Sequence, residues 1–187
     1  MLNREFTASQ PNQKWVTDIT YIATQPGGCY LSTIKDLYDG FIVAYGCDLN
    51  NSIGLVTRTV RQAKQKEKVT AGLSLHSDQD TQYTSQAYHD VLPQEYNITP
   101  SMSRRGNCWD NAPIESFFSH LKEEYLRQFK KTTFKETEQL IDEYIYFYNY
   151  ERIQLKTRQT PFETRCLSSW PVGAFFFCLA YRVQSIA

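Results

Sequence analysis

The chain has 187 residues, 41% hydrophobic and 21% charged, a soluble globular composition with length enough for one sizeable core. Its 20 Lys and Arg balance 20 Asp and Glu, which excludes a protein that grips nucleic acid by overall charge and leaves only local patches for that purpose. No apolar run reaches the roughly 18 residues of a membrane span, and nothing at the N-terminus reads as a targeting peptide.

Residues 1–12 are polar, contain Pro11 and read as a lead-in arm. Three runs rich in Val, Ile, Thr and Tyr follow: KWVTDITYIA, CYLSTIKD and FIVAYGCDL, separated by TQPGG and LYDG. This punctuation predicts an antiparallel meander. The period then changes. Ile53, Val56, Val60 and Ala63 recur at helical spacing, with Asn51 or Ser52 available as N-cap. VTAGLSLH predicts a short buried strand ending at Ser77 and Asp78, followed by a helix over roughly 84–95 that Pro93 must end or kink. NITPSM is a brief strand candidate. Asp110 or Asn111 then caps a helix with Pro113 in its first turn and an apolar stripe of Ile114, Phe117, Phe118, Leu121, Tyr125 and Leu126. Thr133 and Glu136 form a capping box for a final helix through Leu140, Ile141, Tyr144, Ile145 and Tyr148. The order predicts one α/β domain with a mixed sheet. In the Tyr-rich YIYFYNY, core packing is the expectation over base stacking.

Basic patches occur at Arg58, Arg61, Lys64, Lys66 and Lys68, and at Arg104, Arg105, Lys122, Arg127, Lys130 and Lys131. Each is a solvated helix face or a phosphate-binding surface. Five cysteines without a C-x-x-C pair point to free thiols in a reducing cytoplasm. His76, His89 and His120 lack metal-motif spacing and read as structural or hydrogen-bonding residues.

Three acids stand out. Asp18 lies inside the first strand, on the face of Val16, Thr20 and Ile22, where an acid needs compensation. Asp78 ends the fourth strand, and Glu115 begins a later helix. Taken singly they are a strand-edge acid, a helix N-cap and a helix-dipole partner. Taken together they are a hard oxygen donor set suited to Mg²⁺ or Mn²⁺, and two such ions serve phosphoryl transfer.

QKWVTDITYI, LHSDQDTQYTS, SMSRRGNCWDNAPIESFFSHLK and IDEYIYFYNYERIQLKTRQTPFETR stand in this order between about Asn3 and Arg165. They closely resemble the catalytic core of insertion-sequence transposases of the retroviral-integrase type, the group made from two overlapping reading frames. The resemblance implies an RNase H-like α/β fold, a mixed five-stranded sheet flanked by helices, over residues 13–165. It also implies a D-D-E site of Asp18, Asp78 and Glu115 holding two Mg²⁺ ions, with Mn²⁺ as substitute. The implied activity is DNA strand cleavage and strand transfer, without a covalent enzyme intermediate. DNA contacts are expected from Lys122 and Ser119, which fall at i+7 and i+4 from Glu115 on one helix face. Further contacts are expected from Arg104, Arg105 and Asn107. The implied partners are transposon ends, target DNA and further copies of the chain on paired ends, in a cytoplasmic protein that joins the nucleoid when bound to DNA.

The chain departs from the family pattern in several places. Thirty-six residues separate Asp78 from Glu115, one more than usual, and Pro93 looks like the addition. Asp80 replaces the glycine usual after HSDQ. An end-binding helix-turn-helix region is expected ahead of such a core, and residues 166–187 form an atypical tail, read as a disordered or frameshifted segment whose Phe cluster is an aggregation liability. These departures keep open a second expectation, a catalytically inactive transposase remnant that acts only as a binding or inhibitory fragment. A general RNase H-type nuclease shares the fold and leaves SRRGNCWDNAPIES unexplained.

Overall fold

A computed structural model describes residues 5–67, 69, 72–86, 88, 90, 92, 96–103, 108–130 and 132–169. The predicted meander is present as β1 (Lys14–Ala23), β2 (Gly28–Asp36) and β3 (Ile42–Asp48). Two short strands, β4 (Ser74–Ser77) and β5 (Thr99–Met102), complete a five-stranded sheet of order β3-β2-β1-β4-β5. The meander pairs antiparallel, whereas β1 with β4 and β4 with β5 pair parallel. The parallel pairs need crossovers, and the chain supplies them as the segments after β3 and after β4.

β1 is central and has both faces covered, so its alternation sorts side chains between two cores rather than between core and water. Trp15 joins Ile34, Ala44, Val56, Val60, Ala63 and Leu75 on one face. Val16 and Ile22 join Leu31, Ile114, Phe117, Ile141, Tyr144 and Tyr148 on the other. The first face is covered by α1 (Ile53–Lys66), whose N-cap is Ser52, with its side chain accepting from the Leu55 amide. Tyr83, Tyr88 and Leu92 lie under the same cover, and Gln86, Tyr88, Asp90, Leu92 and Tyr96 are helical. Pro93, suspected of breaking this segment, lies outside the described residues.

The second face is covered by α2 (Ala112–His120) and α3 (Phe134–Tyr150). Helix α2 runs on through a π-turn at Leu121–Tyr125 and a 3₁₀ turn at Leu126–Gln128. Asn111 occupies the N-cap position of α2, but its side chain makes no capping bond. The side chain is turned to the sheet instead, where its amide donates to the Thr17 carbonyl of β1 (3.2 Å). The capping box of Thr133 and Glu136 is formed as expected. Core packing holds for Tyr144 and Tyr148, which surround Phe117 at ring-centroid distances of 6.2 and 4.9 Å, while Tyr146 and Phe147 remain exposed.

Helix α3 is not the last. Helix α4 (Pro161–Ser169) follows, with Thr160 and Glu163 exchanging capping bonds, so the helix crosses the boundary drawn at Arg165. T-P-F-E at 160–163 was the signal for it. Arg165 on α4 reaches Asp36 (2.7 Å), Asp39 (2.8 Å) and Glu67 (2.8 Å) and stacks over Phe41, fastening the helix to the β2–β3 corner and the end of α1. Nearby, Asn149 of α3 takes the place of a neighbouring strand. Its amide donates to the Ile42 carbonyl and its oxygen accepts from the Ile42 amide.

Candidate functional site

The parallel pairing of β1 with β4 is short: Lys14 with Ser74, Trp15 with Leu75 and Val16 with His76. Carrying that register two residues further places Asp18 level with Asp78, at the point where β4 has ended and the two strands separate. Asp18 shares its face with Val16, and α2 lies over that face, bringing Glu115 from its first turn. Strand register thus sets Asp18 level with Asp78 just past the end of β4, and α2, which carries Glu115, packs over the same face.

Their electrostatics show the proximity. Asp18 is pushed up to about 7, first by burial and next by the charge of Asp78, with Asp80 and Glu115 adding to it; a bond from the Ile19 amide (2.7 Å) opposes the rise. Asp78 is raised by burial and by Asp80 and Glu115, and the Asp80 amide, donating to its Oδ1 at 3.0 Å, opposes. Burial also raises Glu115, although its side chain is exposed. Among the described residues no three His, Cys, Asp or Glu side chains already form a ligand cluster for a metal ion. The acids form a repelling group, partly dehydrated and made only of oxygen donors, which is the chemistry that fits a hard divalent cation.

Lys122 borders this group. Its ammonium donates to Thr20 Oγ1 at 2.6 Å, two residues from Asp18 on the same face of β1. Burial lowers its pKa and the Asp18 charge opposes that. The lysine is therefore half-buried over β1 at Thr20, close enough to feel the Asp18 charge. Ser119 is exposed, and its hydroxyl donates to the Glu115 carbonyl (3.0 Å) within α2. Arg104, Arg105 and Asn107 lie outside the described residues.

Asp80 has a negative φ, since Asn12, Asn97 and Arg158 are the described non-glycine residues with positive φ. The position makes no demand for glycine, and what Asp80 changes is charge. His76 is the buried hydrogen-bonding residue expected, with burial lowering its pKa and so favouring the neutral ring. His89 lies outside the described residues. Sequence reasoning missed Asn111 and Lys35, whose ties to this end of the sheet span 94 and 78 residues and leave no local trace.

No helix among the described residues is long and apolar enough to cross a membrane. Residues 8–108 match the integrase core domain family, and residues 115–167 match a second family described in the same words. A transposase-like protein of Haemophilus influenzae is 44% identical over 158 residues, which is 84% of this chain and 72% of that protein. The transposase for insertion sequence element IS904 of Lactococcus lactis is 38% identical over 154 residues, 82% of this chain and 60% of that protein. The chain thus spans part of the length of these relatives. The HTLV-2 integrase catalytic core domain in complex with magnesium superposes with a TM-score of 0.67 at 14% identity, covering 84% of this chain and 99% of that one, and so shares the fold. With its sheet order, its two helix-covered faces and its sequence matches, the chain belongs to the integrase core domain family, among the insertion-sequence transposases.

Proposed function

We propose that this chain is the DNA strand-cleaving and strand-joining core of an insertion-sequence transposase, acting through Asp18, Asp78 and Glu115. The observation that supports the reading is the register that sets Asp18 level with Asp78 where β4 ends, with burial and the charges of Asp78, Asp80 and Glu115 pushing Asp18 up to about 7. Such repulsion is useful where cations relieve it. The three carboxylates would hold two Mg²⁺ ions, or Mn²⁺ in their place, and the ions supply Lewis-acid activation of the attacking oxygen and charge relief at the leaving 3′-oxygen. Asp18 offers a donor from within β1 and Asp78 one just past the end of β4, while Glu115 offers an exposed donor on a helix. Lys122 is suited to a phosphate oxygen of the DNA backbone, because its ammonium is already held beside Asp18 by Thr20. Ser119, Arg104, Arg105 and Asn107 extend the proposed DNA surface, and paired DNA ends imply several copies of the chain.

A preassembled branched DNA substrate, which already joins an element end to its target, tests this with Mn²⁺. The expected result is strand rejoining by the chain and its loss in Glu115→Gln. Rejoining that persists in Glu115→Gln would overturn the assignment. One observation favours the inactive-remnant reading instead: Asp80 adds charge to both Asp18 and Asp78. That reading predicts a folded chain with neither rejoining nor Mn²⁺ binding, and recovery of Mn²⁺ binding in Asp80→Gly.

A further inference from the structure

Glu115 is useful only if its helix is fixed relative to the two strands that carry the aspartates. Apolar packing of Ile114, Phe117 and Phe118 sets the rotation of α2 on the sheet. Apolar contact is non-directional and resists sliding along the helix axis poorly. The start of α2 carries three further, directional ties, one to each of three strands. His76 of β4 meets the Asp110 carbonyl (3.1 Å), Asn111 donates its side-chain amide to the Thr17 carbonyl of β1 (3.2 Å), and Lys35 of β2 donates to the Pro113 carbonyl (3.1 Å).

The contacts of His76 assign the tautomer of its neutral ring. Ser103 Oγ donates to the Ser77 carbonyl, so toward His76 Nε2 it accepts. The Asp110 carbonyl has no proton to give. Nε2 therefore carries the hydrogen, shared between Asp110 and Ser103, and Nδ1 accepts from Ser101 Oγ at 2.9 Å. Asn111 shows that the arrangement is held against a cost. It is 2% exposed, and its Oδ1 has no hydrogen-bond partner among the described residues. A buried amide with half of its capacity unmet is a poor stabilising device, and retaining one calls for another reason.

We infer that His76, Asn111 and Lys35 are positioning residues, a three-strand tether that fixes the axial position of α2 and so holds Glu115 against Asp18 and Asp78. Asp110, Asn111 and Pro113 lie two to five residues before Glu115, so release of any tie acts directly on its turn. The inference rests on the proposed role of Glu115, but the tether itself is measurable without it.

The test uses the full chain with Asn111→Leu, which removes the tie together with the unmet oxygen, and the pair His76→Gln and His76→Asn. Glutamine places an amide donor near the position of Nε2, whereas asparagine falls short of Asp110. Backbone hydrogen exchange is followed at residues 114–118 without metal, alongside thermal unfolding, and kcat and KM for strand rejoining are measured with Mn²⁺. In Asn111→Leu and His76→Asn, exchange at these amides should accelerate about fivefold or more relative to α3, as expected for loss of one net hydrogen bond. Rejoining should lose kcat with little change in KM, and His76→Gln should restore both readouts. Asn111→Leu should melt only slightly earlier than the parent, since removal of the unmet oxygen offsets part of the cost of leaving the Thr17 carbonyl without its donor. Unchanged exchange at 114–118 would overturn the tether, as would acceleration spread evenly over α2 and α3 with an earlier melt. Accelerated exchange in a chain whose activity ignores Glu115→Gln would keep the tether and reject its catalytic purpose.

Discussion

Arg165→Met removes the cation that α4 inserts between two carboxylates whose side chains are 0% exposed, Asp36 and Asp39. Breaking a buried ion pair from one side costs about 3–5 kcal/mol, because the remaining charge is left dehydrated and unpaired. Glu67, more exposed, adds little. At about 2–4 °C per kcal/mol for a chain of this size, the melting temperature should fall by roughly 6–20 °C at pH 8. The dependence on pH supplies the sharper check. Burial, then the charge of Asp39, raises Asp36 to about 6 from 3.8, with Arg165 opposing; burial raises Asp39 as well. A carboxyl raised by folding makes the native state bind protons more readily than the unfolded chain. Stability therefore falls as pH rises through the window between about 4 and about 6. Without Arg165 that window extends upward, so the deficit of Arg165→Met should be smaller at pH 5 than at pH 8. Adding Asp36→Asn and Asp39→Asn to Arg165→Met should recover much of the loss. Urea denaturation at the two pH values measures all three variants. A deficit below about 1 kcal/mol, or one equal at both pH values, would refute the reasoning.

Asp18, raised to about 7, destabilises the metal-free fold once ionised, so stability should fall as pH rises through the range from about 4 to about 7. Asp18→Asn should flatten that dependence and, discounted for partial exposure, gain about 1–3 kcal/mol at pH 8 in chelator. Melts with added Mn²⁺ should then stabilise the parent and leave Asp18→Asn unmoved. Asn149→Leu strips the buried Ile42 amide and carbonyl of their partners and should cost about 2–3 kcal/mol in urea denaturation; a neutral result would mean that water replaces the side chain. Thr133→Ala removes the capping box of α3 and should cost about 1 kcal/mol, read as a modest drop in the far-UV melt.

Local chemistry was readable in the residues. Val, Ile, Thr and Tyr runs broken by P-G-G and Y-D-G marked the meander, and Ser52 and Thr133 marked helix starts because their capping bonds span three residues. Asp18 was visible as an acid on an inward face. Its alignment with Asp78 was not, because register between strands 60 residues apart is set by packing and leaves no spacing rule. The capping role of Asn111 failed for a related reason: the Thr17 carbonyl that orients its side chain lies 94 residues away, on β1. Helix α4 was overlooked despite T-P-F-E, since its apolar periodicity is weak and Arg165 supplies much of its attachment.

That attachment also sets an order of events during synthesis. The meander closes through neighbours in sequence and forms as soon as residue 48 is free of the ribosome. Its corner waits much longer. Asn149 reaches Ile42 across 107 residues, Lys35 reaches Tyr148 across 113, and Arg165 reaches Asp39 and Asp36 across 126 and 129. Until those segments emerge, the nascent sheet carries an uncovered edge and two acids without their cation, the condition in which strand edges recruit wrong partners. Translation speed through residues 134–165 thus becomes a determinant of how much chain reaches the native fold, and a chaperone that shields the β3 edge should matter most in that interval.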